Sequence, residues 1–141
     1  MEWLGSAIDY GVIGLLAVLS FIVVMIAVER WLCFRGIDPA QHPSRKRLEL
    51  LLSRNLSIIG TVASNAPYIG LLGTVLGIML TFYNIGKTDN IDTAQIMVSL
   101  ALALKATAAG LVVAIVAVVL YNFLSRARRT ILMKWDIHHE G

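Results

Sequence analysis

The stretch YGVIGLLAVLSFIVVMIAV, residues 10–28, decides the fold class. It carries no charge, and at about 1.5 Å per residue a helix of this length crosses a hydrocarbon core of about 30 Å. It does not alternate polar with apolar residues as a barrel strand does, so the sequence predicts a helix. Only helices and closed barrels cross a bilayer, because every backbone amide must find a partner there. Glu29-Arg30 closes the run on one side. On the other, Met1 to Asp9 contains Glu2 and Asp9 and no basic residue. Without a basic leader or a small-residue cleavage pattern, the run reads as a span and not as a cleaved signal.

Two more charge-poor stretches follow. Residues 55–86 hold no charge, and Pro67 divides them. Proline removes one helical hydrogen bond and clashes with the carbonyl four residues back, here that of Ala63. Span two is therefore expected over 63–85, with Pro67 towards its start. Residues 93–125 are interrupted only by Lys105 and form the third expected span. Composition agrees: the 141 residues are 57% hydrophobic and 15% charged, against about 25% charged in soluble domains. The length suits one domain, 1–141. Its expected parts are span one (10–28), a segment at 29–62, span two (63–85), a loop at 86–92, span three (93–125) and a tail at 126–141. The expected fold class is an all-α membrane protein with three transmembrane helices, the N-terminus periplasmic, the C-terminus cytoplasmic, and helices two and three extended into the cytoplasm.

The basic residues orient it. Arg30, Arg35, Arg45, Lys46, Arg47 and Arg54 lie between spans one and two, and Arg126, Arg128, Arg129 and Lys134 lie in the tail. Three spans put both groups on one side; two or four would split them. By the positive-inside bias the N-terminus and the 86–92 loop are outside, and the 29–62 segment and the tail are cytoplasmic. Pro43-Ser44 reads as a helix start with Ser44 as cap. Leu48, Leu51 and Leu52 then oppose Arg45, Arg47 and Arg54, which predicts a helix lying on the bilayer or extending span two; a partner-binding helix is the alternative. Residues 125–134 are expected to continue span three into the cytoplasm.

The composition excludes several functions. The net charge of +3 is not arrayed on a face interleaved with aromatics, which argues against nucleic acid. Cys33 is the only cysteine, so no intrachain disulfide can form. Residues 70–77 lack the Lys-Ser/Thr of a phosphate loop. His138 and His139 are adjacent, a poor metal spacing, and read as a solvated tail. No nucleophile comes with a base, so neither an enzyme nor a cofactor is expected.

What remains is packing and a few polar groups. Helices in lipid associate through small residues that allow close approach. Span two offers Gly70, Gly73, Thr74 and Gly77; span three offers Ser99, Ala103, Ala106, Gly110, Ala114 and Ala117 as one stripe. This stripe suits either a tight three-helix bundle or an oligomer whose helices surround something. A pore needs several subunits, since three helices enclose little. Thr74 and Thr107 are the deepest hydroxyls: each either bonds its own helix one turn back or lines a polar path and hydrogen-bonds an acid or a proton relay. Lys105 is either an intramembrane functional charge or a side chain snorkelling to the outer interface.

The block Ala66-Pro67-Tyr68-Ile69-Gly70-Leu71-Leu72-Gly73-Thr74-Val75-Leu76-Gly77-Ile78-Met79 resembles the ExbB/TolQ/MotA family of proton-channel subunits, most closely its ExbB branch. A second block agrees, Ala103-Leu104-Lys105-Ala106-Thr107-Ala108-Ala109-Gly110-Leu111, with Val113-Ala114-Ile115 and Tyr121-Asn122 after it. Glu29-Arg30 with Arg35 is a weaker third match. The resemblance implies a bacterial inner-membrane, multi-pass homo-oligomer, a pentamer, around the helices of an ExbD-like single-span partner whose Asp takes up and releases protons. It implies that Thr74 and Thr107 face this pore, and that proton flow drives a TonB-like protein and an outer-membrane receptor. Many ExbB and TolQ proteins carry a Glu in span three where this chain has Leu102. Lys105, nearby on the helix, is the candidate to stabilise the partner's Asp or a pore anion in its stead. The long cytoplasmic extensions of larger relatives are absent, which puts functions tied to them in doubt. A TolQ-like role in envelope integrity and a passive membrane scaffold are the alternatives.

Overall fold

The structure is a computed structural model that describes residues 2–87 and 91–140. Residues 88–90 of the expected 86–92 loop, and Met1 and Gly141 at the chain ends, lie outside the described residues. The helices are α1 (Glu2–Arg35), α2 (Arg45–Ser53), α3 (Leu56–Lys87) and α4 (Thr93–Glu140), with a 3-10 turn at Pro39–Gln41; no strand occurs among the described residues. Among these residues, α1, α3 and α4 are long and apolar enough to cross a membrane.

The long helices meet along stripes of regular spacing. On α1 the buried residues are Leu16, Val23, Ala27, Arg30 and Phe34. On α4, Ala103, Gly110, Ala117 and Leu124 are buried at steps of seven, the period that keeps one seam facing a partner over many turns. The facing stripe of α3 is Leu56, Ile59, Val62, Ala66, Gly70 and Gly73. The small-residue stripe read from the sequence is thus the α3–α4 seam, with Ser99 at its less buried end. The opposite faces expose large apolar side chains, among them Phe21, Leu32, Val112, Ile115 and Val119, as expected of surfaces that meet lipid or other helices.

Two expectations are corrected. Pro67 does not divide its stretch: α3 runs unbroken from Leu56 to Lys87 with Pro67 inside. Proline costs a helix one hydrogen bond, and in a bundle neighbouring helices and local adjustment offset it. The second correction concerns the 29–62 segment. Ser44 does cap α2, its Oγ accepting from Arg47 N at 3.4 Å, but the helix does not continue into span two. Asn55 adopts φ 64°, a left-handed conformation that Asn tolerates better than most residues. The chain therefore turns between α2 and α3, and α2 folds back onto the bundle with Leu48 and Leu52 fully buried.

Polar groups fasten this end. Arg30 is 2% exposed; its Nη1 donates to the carbonyl of Leu51 at 2.6 Å, and its Nε donates to Glu29 Oε2 at 3.0 Å. Arg128 of α4 donates to Ser53 Oγ at 2.9 Å, Arg45 pairs with Asp136 at 3.0 Å, and Trp135 Nε1 donates to the carbonyl of His42 at 2.8 Å. The far part of α4, expected as a continuation of span three, is thereby a docking post for α2. Arg30→Ala removes the donor that ties α1 to α2, a loss of about 1–3 kcal/mol for a buried bond to a charged group. The expected outcome is faster tryptic cleavage at Arg45, Lys46 and Arg47 while the α3–α4 hairpin stays protected, read by limited proteolysis in membranes.

Candidate functional site

Glycine sets the geometry of the α3–α4 crossing. A Cβ built on Gly70 would lie 2.6 Å from the carbonyl oxygen of Ala106, and one on Gly110 would lie 2.6 Å from that of Ala66. The two backbones touch here, with Gly110 Cα only 3.0 Å from the Gly70 Cβ position. One turn along, Gly73 faces Ala106 and Val12, which brings α1 into the contact, and Gly77 faces Ala103. These four glycines and the alanines opposite them bring the helices close enough for side chains on facing turns to bond across the seam.

The two threonines use that approach. Thr74 Oγ1 donates to the backbone carbonyl of Ala103 on α4 at 2.9 Å, and the Thr74 and Thr107 hydroxyls are hydrogen-bonded to each other. Thr107 Oγ1 has a second acceptor, the carbonyl of Gly70 on α3, at 3.5 Å. Of the two arrangements open to these hydroxyls, a bond to their own helix is therefore not the one formed: both reach across to the other helix. By contrast Thr61, Ser64 and Thr81 do bond carbonyls of their own helix. Thr74 is buried and Thr107 half-buried. A hydroxyl both donates and accepts, and Thr107's one proton has two acceptors, so the pair can reorient without breaking the helix seam.

Lys105 is not part of this pair. Its ammonium donates to Asp9 Oδ2 on α1 at 3.2 Å, an ion pair with both partners partly exposed. Two residues along a helix turn a side chain to nearly the opposite face, so Lys105 points to α1 while Thr107 points to α3. Asp9 is read from the sequence as an acid before span one, but not as the partner of Lys105. The available signal was that an intramembrane cation requires a partner, and that Asp9 adjoins the end of span one that carries no basic residue. The remaining candidates fall where packing puts them: Pro67 half-buried within α3, and Ala103, Ala106, Gly110 and Ala114 buried in the seam. His139 stacks on Trp135 at 3.9 Å at the exposed end of α4. No group of three or more potential metal ligands occurs among the described residues.

Three membrane-length helices, two of them locked by glycine around a partly buried pair of hydroxyls, define a polytopic membrane protein whose tightest contact is also its polar site. The chain belongs to the MotA/TolQ/ExbB proton channel family, whose pattern it matches over residues 41–137. It is 52% identical to the biopolymer transport protein ExbB of Aquifex aeolicus, an alignment covering 99% of this chain and 94% of that one. It is 53% identical to the biopolymer transport protein ExbB-like 2 of Helicobacter pylori, over 94% of this chain and 88% of the relative. With the ExbB of Helicobacter pylori it shares 42% over 97% of this chain. The matched segment contains α2, α3 and most of α4, and so both threonines and all four seam glycines.

Proposed function

We propose that this chain is the ring-forming subunit of a proton-driven motor of a bacterial inner membrane, which works with an ExbD-like single-span partner to energise TonB-dependent outer-membrane transport. The observation that carries the reading is the Thr74–Thr107 pair, two hydroxyls bonded across the α3–α4 seam in a member of a proton channel family. Several copies, five by resemblance, surround the partner's helix, and the basic ends of α1, α2 and α4 face the cytoplasm by the positive-inside bias. A shallow groove of α3 and α4 also supports this placement. Towards the basic end it is lined by Ser57, Thr61 and Ser64 of α3 and Asn122 of α4, polar side chains better matched to an enclosed path than to lipid.

In this reading the partner's carboxylic acid supplies the titrating group. The hydroxyl pair offers it a donor and an acceptor in an otherwise apolar wall, so that its neutral and ionised forms are both hydrogen-bonded. The test is reconstitution. Vesicles holding this chain with the single-span partner are expected to carry protons, whereas vesicles with the chain alone, or with the partner's Asp changed to Asn, carry none. Proton flux from the chain alone would sink the proposal. A TolQ-like role uses the same machinery with other partners, and crosslinking in cells separates the two: capture of a TonB-like protein favours transport, and capture of a Tol-type partner favours envelope integrity.

A further inference from the structure

We propose that the cleft between α1, α3 and α4 is a hydrated entry within the single subunit, open towards the α3–α4 loop and closed at the glycine crossing, and that Asp9 on its wall attracts a monovalent cation. The use of that cation rests on the proton-channel reading above; the wetness of the cleft does not.

The cleft has a volume of about 750 Å³, room for on the order of twenty waters. Each long helix contributes polar groups to its wall: Ser6 and Asp9 from α1, Thr81 and Asn84 from α3, Gln95 and Ser99 from α4. Polar side chains within membrane helices are costly in hydrocarbon and collect on bundle interiors or water-filled cavities. Here three helices turn them into one concavity, while the outward faces carry Phe21, Val112 and Val119. The inner limit is Gly73, Ala103 and Ala106, the residues around Thr74 and the carbonyl it bonds. Beyond them the backbones of α3 and α4 touch at Gly70 and Gly110, leaving no space for water. The cleft therefore reaches from Lys87 and Asp92 at the α3–α4 loop end to residues next to the hydroxyl pair, its polar groups set among apolar ones such as Ile8, Leu80 and Leu102.

The electrostatics follow from one contact. Asp9 lines the cleft and is bonded at 3.2 Å to Lys105, which offsets part of the carboxylate's charge. A cation arriving through water competes with the ammonium for the same carboxylate. Removing Lys105 leaves an uncompensated acid in a low-dielectric cleft, which concentrates cations and raises their encounter rate by about tenfold or more.

Substituted-cysteine labelling of the assembled complex in spheroplasts tests this, in a Cys33→Ser background. Ser99→Cys, Thr81→Cys and Gln95→Cys are expected to react with membrane-impermeant cationic thiol reagents. Ala117→Cys, packed beyond the crossing, is expected not to react. At Ser99→Cys the cationic reagent should outpace the anionic one, the preference growing with Lys105→Met and falling with Asp9→Asn. Cleft positions as inert as Ala117→Cys would mean that lipid or a neighbouring helix fills the space, and would overturn the entry. Equal rates for the two reagents, indifferent to Asp9, would overturn its role. Labelling is read without energy coupling, so a wet cleft in a complex that moves no protons would count against the motor and not against the entry.

Discussion

Gly110→Ala is expected to take the α3–α4 hairpin apart at its tightest point, with a loss of thermal stability and of function far beyond what one methyl group suggests. The added carbon would sit 2.6 Å from the carbonyl oxygen of Ala66 and 2.9 Å from Gly70 Cα. Both are backbone atoms, so no side chain can swing away, and the helices must separate along the whole seam. Overpacking of a filled interior costs about 1–3 kcal/mol when side chains can adjust, and a backbone clash belongs at or above the top of that range. Separation would also pull Thr74 from the Ala103 carbonyl 2.9 Å away. Gly70→Ala meets the Ala106 carbonyl at the same 2.6 Å and should behave alike. Gly14→Ala has nothing within 4 Å of the new carbon and lies mid-helix, where alanine is favoured over glycine by about 0.8–1.0 kcal/mol. It is expected to be neutral or stabilising. Thermal melts of the detergent-solubilised complex decide the matter: equal midpoints for Gly110→Ala and Gly14→Ala would mean that the helices do not touch as described.

The second large effect is on function with little effect on assembly. Thr74→Val with Thr107→Val keeps the shape of both side chains and removes both hydroxyls. Hydrogen bonds between membrane helices average about 0.6 kcal/mol and reach about 1.7 kcal/mol, too little to undo a seam held by glycine packing. Complex abundance and melting point should therefore stay close to the parent, while proton-coupled uptake is abolished. The single variants should differ. Thr107→Val leaves the bond from Thr74 to Ala103 in place. Thr74→Val removes that bond and leaves Thr107 only the weaker contact with Gly70, so it should be the less stable of the two. A passive scaffold predicts the opposite pattern, with uptake preserved in the double variant. Uptake of a TonB-dependent nutrient, measured beside crosslinked complex yield, separates the two.

Some of this architecture was legible because bilayers impose simple rules. A run such as residues 10–28 has few alternatives to a membrane helix, and glycine and alanine at steps of three and four have few uses in one other than close contact. Gly70, Gly73, Ala103, Ala106 and Gly110 thus read as helix-packing positions, with a contact inside one subunit and a contact between subunits both open. The fate of Pro67 could not be read, because whether a proline ends a helix depends on what its neighbours supply to the freed backbone. Nor could the docking of α2, whose amphipathic pattern suits a bilayer surface as well as a protein one. The choice fell to long-range contacts, Arg30 with Leu51 and Arg128 with Ser53, that join residues far apart in the chain. The pairing of Asp9 with Lys105 was not legible for the same reason: 96 positions separate them.

By itself, the sequence determined that this chain crosses a membrane three times, that spans two and three carry the small residues that allow close packing, and that Thr74 and Thr107 are their deepest hydroxyls. These follow from length, hydropathy and side-chain size, all local properties. Only the tertiary structure decided that the hydroxyls bond across the seam and not along it, that Lys105 belongs to Asp9, and that one end of the bundle opens as a polar cleft while its middle is sealed. The reason is physical: each of these depends on which atoms of separate helices come within bonding distance, and the rotation of one helix against another sets that distance.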